Sequence, residues 1–510
     1  MNRMTIWFTS DTHGYFFDTD YIHPEPLDIG LLGFDFPKDG NTLVIDGGDT
    51  IQGSPLTHFC HTTGAPLPVA WAMNALRYDY VTLGNHDFNR GPEMLADYLK
   101  ALDARCLCAN VSDAKGRLPV APWAVHTLQN GTRVGLVGLV TNWVNLWEKP
   151  ENLQGITVSD PMPAARAAVE ALQREGVDVI VGIYHGGVER DPDTGRKLSD
   201  TDENIACRLC EALPFDLLLT GHQHIAMVEK HWHGTHIVQT PANATQAVKV
   251  VLDEDGFHSE LVPSHRQAQL TADQSDLRRH LEQWLDEPIG HLSQAIWPTE
   301  RLDMAMNGSP IADFFNAVQL WATGADISCA ALPNELRGFD SGVTVRDVVA
   351  SYIYPNTLVV LEVTGAILRR ALEQCATYFE VDDRGHVCIA RSFLEPKEAH
   401  YNYDFFAGLE YTFDLSRPTG SRVTRMTRDG REIEKDDKLT LVMCNYRATG
   451  AGDFDMYKDC RRVREFQTEV SQLIIDYIME KRDIVIPDNH PIRVIEGNEI
   501  PQSCRTKNVH

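Results

Sequence analysis

The sequence predicts a mixed α/β protein of two domains, the first an α/β or layered αββα domain and the second a smaller α/β unit. Three observations carry that expectation. Apolar, strand-like runs alternate with amphipathic stretches over the first ~260 residues. The composition then shifts, after a polar stretch, to Leu277-Arg-Arg-His-Leu281-Glu-Gln-Trp284-Leu, an amphipathic helix suited to joining two domains. Finally, 510 residues is too long a chain for one ordinary core.

Taken in order, the strands are expected at 4–10, 42–46, 80–83, 105–111, 133–140, 177–184 and 215–220, each a short apolar run. Helices fall between them at 66–77, 92–103, 161–175 and 201–212. We therefore set a first domain at 1–264, a helical linker at 265–300 and a second domain at 301–510. Within the last, helices are expected at 310–323, 346–351, 365–377 and 465–480, with strands at 357–363 and 438–444. The tail after 487 is polar and expected to be loosely ordered.

Composition excludes several classes. Hydrophobic residues at 43% and charged residues at 23% give the balance of a soluble globular protein. No run of ~18 apolar residues is present to span a bilayer. A net charge of -26 repels polyanions and argues against a nucleic-acid duplex as partner. The 11 cysteines lack framework spacing, which suits free thiols in a reducing compartment, and the pair Cys207 and Cys210 reads as core packing. A strand beginning at Met4 leaves no room for a signal peptide, so a cytoplasmic setting is expected.

Five clusters carry the chemistry: Asp11-Thr-His13, Gly48-Asp49, Gly84-Asn85-His86-Asp87, His185-Gly-Gly and Gly221-His222-Gln-His224. Each follows an expected strand, where α/β sheets gather functional groups. Gaps of 38 residues from Asp11 to Asp49, 36 from Asp49 to Asn85 and 37 from His185 to His222 each suit one strand, one helix and their loops. Asp, Asn and His together supply the mixed oxygen and nitrogen ligands that two adjacent divalent ions need for phosphoester hydrolysis. One carboxylate must bridge such ions, and Asp49, flanked by glycines, is the best candidate. Asp11, His13 and His224 complete one site; Asn85, His185 and His222 complete the other. Mn, Zn, Fe, Co and Ni all suit these ligands. Among 20 histidines some will fall near strand ends by chance, but chance explains five ordered clusters poorly. Asp46 is read as a loop support, His231 and His233 as part of an edge hairpin turning at Gly234, and His58 and His61 as solvated loop residues. His86 is left over once Asn85 is used, and is placed to protonate the leaving oxygen or to hydrogen-bond the phosphoryl charge.

These clusters resemble the calcineurin-like metallophosphoesterases, and more specifically the bacterial 5′-nucleotidases and 2′,3′-cyclic-nucleotide 2′-phosphodiesterase/3′-nucleotidases. In the second half the resemblance rests on Asn356-Thr-Leu-Val-Val-Leu-Glu-Val-Thr-Gly365, Tyr401-Asn-Tyr403-Asp-Phe-Phe-Ala-Gly408 and Asn445-Tyr446-Arg447-Ala-Thr-Gly-Ala-Gly452-Asp453-Phe454. It implies a four-layer αββα metallophosphoesterase domain followed by a 5′-nucleotidase C-terminal domain that rotates as a body to carry substrate to the metals. It also implies a base sandwiched between two aromatics, for which Tyr403 and Tyr446 match by motif position; any base offers a π-face to stack on. By the same resemblance Arg337 holds phosphate and Asp453 binds the base or a ribose hydroxyl.

The chain departs from the family pattern twice. Many 5′-nucleotidases read Gly-Asn-His-Glu-Phe-Asp, the last Asp orienting the His; here Asn89 closes the run Gly84-Asn85-His86-Asp87-Phe88-Asn89, as it often does in the cyclic-nucleotide branch. The second departure is Leu332-Pro-Asn334-Glu-Leu-Arg337, which replaces a glycine-rich loop. The resemblance therefore favours hydrolysis of 2′,3′-cyclic nucleotides and then 3′-nucleotides, with His86 and Asn89 as the catalytic pair. The alternatives are a 5′-nucleotidase, extending to nucleotide sugars, a non-catalytic nucleotide sensor, and a thiosulfohydrolase of the same superfamily.

Overall fold

The computed structural model describes residues 4–495 apart from 24, 65–67, 149, 199–201, 268, 335, 353, 355, 383, 395–397 and 487–489. The chain separates into two compact units, Met1–Trp284 and Leu285–His510, and the division falls inside the connecting helix Ala272–Asp286. Among the described residues no helix is long and apolar enough to cross a membrane.

In the first unit a seven-stranded sheet runs in the order Gly256–Pro263, Gln246–Asp253, Met4–Thr9, Thr42–Asp46, Tyr80–Val81, Arg105–Leu107, Val120–Ala121. The strands from Met4–Thr9 onward are parallel. A six-stranded sheet faces it, ordered Met227–Trp232, Thr235–Gln239, Leu217–Thr220, Val179–His185, Arg133–Val140, Trp123–Thr127, with parallel pairing through its centre. Side chains alternate between faces with the period of two that a strand imposes. Ile6, Phe8, Leu43 and Ile45 of the first sheet thus meet Leu136, Val181, Ile183 and Leu219 of the second in one core. Val137, Leu139, Ile180 and Leu218 point the other way and pack under helices.

One of those helices, Pro161–Glu175, shows why the sequence folds so locally. Asp160 caps it by accepting from the Met162 amide at 2.9 Å, Pro161 occupies the first turn, and Gly176 ends it at φ 70°. Ala165, Ala168, Val169 and Leu172 form its buried stripe. The Cys207–Cys210 pair lies buried in the helix Ala206–Ala212, as core packing requires.

The structure differs from expectation in particular places. The strand expected at 105–111 stops at Leu107, because Ala109 donates to Gly138 O in the other sheet and Val111–Asp113 then pairs with Ile156–Val158. The hairpin of Gln246–Asp253 and Gly256–Pro263, which completes the edge of the first sheet, was not anticipated. His58 belongs to the helix Pro55–Thr63 and is buried against Trp284 rather than solvated. Residues 66–67 and 201, with which two expected helices begin, lie outside the described residues; helices are found at Val69–Ala75 and Ala206–Ala212.

The second unit holds a mixed sheet ordered Asp404–Ala407, Ile327–Ala331, Lys438–Cys444, Leu358–Thr364, Arg461–Glu465. The helix Pro310–Thr323 packs on it, and Gly365–Ala376 follows its strand Leu358–Thr364. The helix expected from 465 begins only at Val470, since Arg461–Glu465 is taken up as a strand against Leu358–Thr364. Ile492–Ile495 is likewise no loose tail: it pairs in parallel with Glu410–Asp414. The expected loose order beyond 495 lies outside the described residues.

Candidate functional site

The parallel strands of both sheets of the first unit end at the five clusters. Met4–Thr9 leads to Asp11, Thr42–Asp46 to Asp49, Tyr80–Val81 to Asn85, Val179–His185 ends on His185, and Leu217–Thr220 leads to His222. The turns that follow are tight. Asp11, His13, Asp49, His222 and His224 all adopt left-handed backbone, with φ of 55°, 49°, 56°, 75° and 58°. Such geometry costs of order 1–3 kcal/mol per residue and persists only where the surroundings enforce it. Here they do: Asp11 N donates to Gly48 O and His13 N to Asp49 O, each at 2.9 Å, while Asn243 N donates to Asp11 O at 2.8 Å. Gly84 is required for another reason, since a Cβ there would lie 2.1 Å from Asp49 Oδ1.

The side chains converge in two sets, Asp11 with His13 and His224, and Asp49 with His185 and His222, each with ligand atoms within 4.8 Å of one another. Asp11, Asp49 and His185 are essentially inaccessible to solvent. His185 Nε2 stands 3.1 Å from Asp49 Oδ2, 3.2 Å from Asn85 Oδ1 and 4.0 Å from Asp11 Oδ1. The structure therefore brings together all seven residues that the sequence nominated as metal ligands.

Main-chain and carboxylate partners fix which ring nitrogen faces inward. His13 Nδ1 contacts Gln52 O at 2.9 Å and His185 Nδ1 contacts Gly47 O at 2.8 Å, which turns both Nε2 atoms to the centre. His222 instead gives Nε2 to Glu203 Oε1 at 2.8 Å, so Nδ1 is its nitrogen available to an ion. Glu203 is held in turn, its carbonyl accepting from Thr141 Oγ1 at 2.9 Å and Tyr184 OH at 3.2 Å.

Electrostatics match a cation site. Burial, with His224 beside it, pushes His13 down to about 4, so its ring is neutral and its Nε2 lone pair meets His224 Nε2 at 3.0 Å. Two imidazole nitrogens that close are satisfied by a cation between them. Burial also opposes charge on His185, but Asp49 and Asp11 outweigh it and hold that ring up at about 10. The balance on Asp49 is similar: burial would raise it, and the His185 and His86 charges bring it well below the usual carboxylate range. The donor set and its charges thus fit two divalent ions.

Sequence reasoning missed three carboxylates around this centre. Asp87 accepts from the amides of Gly84 (2.8 Å), Thr50 (2.9 Å), Asp49 (3.0 Å) and Ile51 (3.2 Å), tying two ligand loops together. It stood in a quoted cluster, yet nothing in its spacing distinguishes a loop clasp from a ligand. The other two, Glu203 and Glu148, lie outside every cluster. Asp46, read as a support, takes hydrogen bonds from Thr9 Oγ1 (2.6 Å), Thr50 Oγ1 (2.8 Å) and Gly48 N (3.0 Å), and burial pushes it up to about 7.

His86 is half-buried beside the donor sets. Its amide donates to Asp49 Oδ1 at 2.7 Å, its ring centroid is 5.5 Å from that of His13, and its Nδ1 lies 2.8 Å from Asn89 Oδ1. His86 and Asn89, the two residues nominated as catalytic, are thus in hydrogen-bond contact.

The second unit contains a cavity of about 340 Å³, the size of a small-ligand pocket. Tyr352, Tyr354, Tyr401 and Tyr446 line it, with Asn356 and the buried pair Asp404 and Arg447, whose Oδ2 and Nε are 2.8 Å apart. Tyr446, a candidate for the base sandwich, lines the cavity and is substantially exposed. Tyr403 does not. It is buried among Tyr378 and Phe405, and its hydroxyl donates to Ala305 O at 2.9 Å. The 3-10 turn His400–Asn402 supplies the reason: it leaves Tyr401 on the cavity, while Tyr403, extended just ahead of the strand Asp404–Ala407, falls in alternation with Phe405 and opposite to Asp404. Arg337 and Asp453 are exposed and neither lines the cavity. Glu335, of the run Leu332–Arg337, lies outside the described residues.

Residues 4–226 match the family described as calcineurin-like phosphoesterase, and 288–459 the one described as 5′-nucleotidase, C-terminal domain. A 2′,3′-cyclic-nucleotide 2′-phosphodiesterase/3′-nucleotidase of Haemophilus influenzae is 24% identical, covering 97% of this chain and 88% of that protein. The trifunctional nucleotide phosphoesterase YfkN of Bacillus subtilis is 24% identical over 94% of this chain, which spans only 38% of that relative's length. A solved Staphylococcus aureus structure, provisionally named a 5′-nucleotidase, is 32% identical with a TM-score of 0.70, covering 97% of this chain and 100% of that one.

Proposed function

This chain belongs to the calcineurin-like phosphoesterases that carry a 5′-nucleotidase C-terminal domain, a family of hydrolases, and we propose that it cleaves nucleotide phosphoesters, opening 2′,3′-cyclic nucleotides and then removing the 3′-phosphate. The observation that carries the hydrolytic reading is the pair of buried donor sets around Asp49. Two divalent ions bound there would polarise the phosphoryl oxygens and make water a competent nucleophile near neutral pH. Asp49, grouped with His185 and His222, would be the carboxylate shared by the two ions in this reading, with Asp11, His13 and His224 holding one and Asn85, His185 and His222 the other.

The chain's own part follows from His86. With Nδ1 engaged by Asn89, its Nε2 is the nitrogen free to serve substrate. Water adds to phosphorus as the bond to O2′ breaks, and His86 supplies a hydrogen bond to the phosphoryl oxygens and a proton to the departing oxygen. Tyr446, with Tyr401 and Tyr354 in place of Tyr403, stacks the base. Asn89 and the cyclic-nucleotide relatives support the cyclic substrate; the Staphylococcus aureus likeness supports the second reading, a 5′-nucleotidase. Ten cysteines among the described residues are free thiols, which supports a cytoplasmic setting.

A panel of 2′,3′-cyclic, 3′- and 5′-nucleotides compared by kcat/KM with one metal tests the ranking, and a clear preference for 5′-monophosphates reverses it. Asp49→Ala should abolish metal binding and turnover together, whereas His86→Ala should keep the metals and lose ~10²–10⁴-fold in rate. Unimpaired turnover in either variant sinks the assignment. A pure nucleotide sensor would leave bis-p-nitrophenyl phosphate with manganese untouched.

A further inference from the structure

We infer that Glu148 is the positioning residue for His86, acting through Asn89. The inference rests on the reading that His86 serves the reacting phosphoryl group. It answers what the sequence leaves open, namely how an amide orients that ring where the family pattern has a carboxylate.

A side-chain amide has an accepting and a donating end of nearly the same shape, and its neighbours decide which way it faces. Asn89 lies between His86 and Glu148: Oδ1 is 2.8 Å from His86 Nδ1, and Nδ2 is 2.5 Å from Glu148 Oε2. A carboxylate only accepts, so the amide must turn its NH2 to Glu148 and its oxygen to the ring. His86 Nδ1 must then be the nitrogen that carries a proton, which leaves Nε2 for substrate.

Glu148 is itself fixed. It follows the short helix Val144–Trp147, its amide donating to Val144 O at 2.9 Å. Its second oxygen, Oε1, accepts from Asn152 Nδ2 at 2.8 Å, and the same Nδ2 donates to Asn89 O, also at 2.8 Å. Two amide donors therefore converge on the two oxygens of Glu148, and only a carboxylate satisfies both. The negative charge has been moved one side chain away from the ring: Asn89 transmits orientation while keeping a full charge off His86.

This arrangement predicts an unusual double-mutant cycle. In Glu148→Gln, one end of the new amide must face a donor with a donor, so Asn89 loses its fixed orientation. In Asn89→Asp, two carboxylates face each other across the former 2.5 Å contact. In the double variant the contacts named here are satisfied again. The carboxylate introduced at position 89 accepts from His86 and from the NH2 of the amide introduced at position 148, and the oxygen of that amide accepts from Asn152.

The test is kcat and KM for 2′,3′-cyclic AMP in the four zinc-loaded full-length proteins, with ring ¹⁵N shifts of His86 reporting its tautomer. Each single variant is expected to lose ~10-fold in kcat with KM within about twofold, as for partners that orient a functional group through another. The double variant should return to within about threefold of wild type, a coupling that a merely structural contact does not produce. The wild-type ring should carry its proton on Nδ1, and Glu148→Gln should give a tautomer mixture. Should Glu148→Gln fail to fold, the same coupling is read from Asn89→Asp against the double variant. Full kcat in Glu148→Gln, losses that multiply in the double variant, or an Nε2-protonated wild-type ring overturns the inference. Turnover that falls in His86→Ala but not in Glu148→Gln defeats this inference alone; turnover that His86→Ala leaves intact defeats the proposed function as well.

Discussion

Removing the ions with a chelator and restoring zinc at pH 6.5, 7.5 and 8.5 should reveal a proton that blocks one donor set. His185, 3.1 Å from Asp49 and 4.0 Å from Asp11, is held up at about 10, and its Nε2 must lose a proton before it can take an ion. At pH 7.5 the cost of removing that proton sets a few kcal/mol against binding. Apparent affinity should therefore rise about tenfold per pH unit across this window, with about one proton released per ion at the Asp49 set. His13, pushed down to about 4, is already neutral and adds no slope, so the Asp11 set should load with a flatter pH dependence. Calorimetry in two buffers of different ionisation heat measures both affinity and proton release. Stability gives the sign independently. A histidine raised in the folded state contributes stability that is full below ~6.5 and lost as pH rises through about 10, so the chelated protein should lose several kcal/mol between those limits. Affinity that stays flat from pH 6.5 to 8.5 with no proton released would refute the reasoning.

Other substitutions separate the roles assigned above. Tyr446→Ala should raise KM for cyclic nucleotides about tenfold without changing hydrolysis of bis-p-nitrophenyl phosphate, whereas Tyr403→Phe should leave both KM values alone and cost about 1 kcal/mol in denaturant unfolding, the worth of its bond to Ala305 O; the opposite pattern would return Tyr403 to the substrate. Gly84→Ala drives a methyl group to 2.1 Å from Asp49 Oδ1 and should abolish zinc retention measured by elemental analysis; retention of both ions would show that the loop yields. Glu203→Ala should weaken zinc ~10–100-fold in chelator competition, and unchanged affinity would mean that His222 needs no outer partner.

The convergence of the candidate ligands was legible because it obeys local rules. A ligand after each parallel strand needs only a strand pattern and a residue type, and Asp11, Asp49, Asn85, His185, His222 and His224 all meet that description. Tyr403 misled because a motif position says nothing of side-chain direction, and one 3-10 turn at His400–Asn402 exchanged it for Tyr401. Glu148 and Glu203 were invisible for another reason. Each meets its partner across 59 or 19 residues, and a lone glutamate in a polar stretch carries no sign of the contact that tertiary structure creates. The hairpin of Gln246–Asp253 and Gly256–Pro263 shows plain alternation and was available to pattern reading, whereas the end of the strand at Leu107 depends on a jump to the facing sheet.

Asp87 ties the two loops of the centre into one piece. With four amides from two loops closed on one carboxylate, the segments bearing Asp49 and Asn85 cannot open separately. Exchange of ions bound there would have no slow hinge to wait for, and would start from the detachment of single ligands, of which His224, the most solvent-accessible member of the two donor sets, would be the first to let go. A frame that stiff would also spare an arriving ion the entropy of ordering its own cage, so that selectivity among metals would rest on their preferred distances rather than on how far the loops bend.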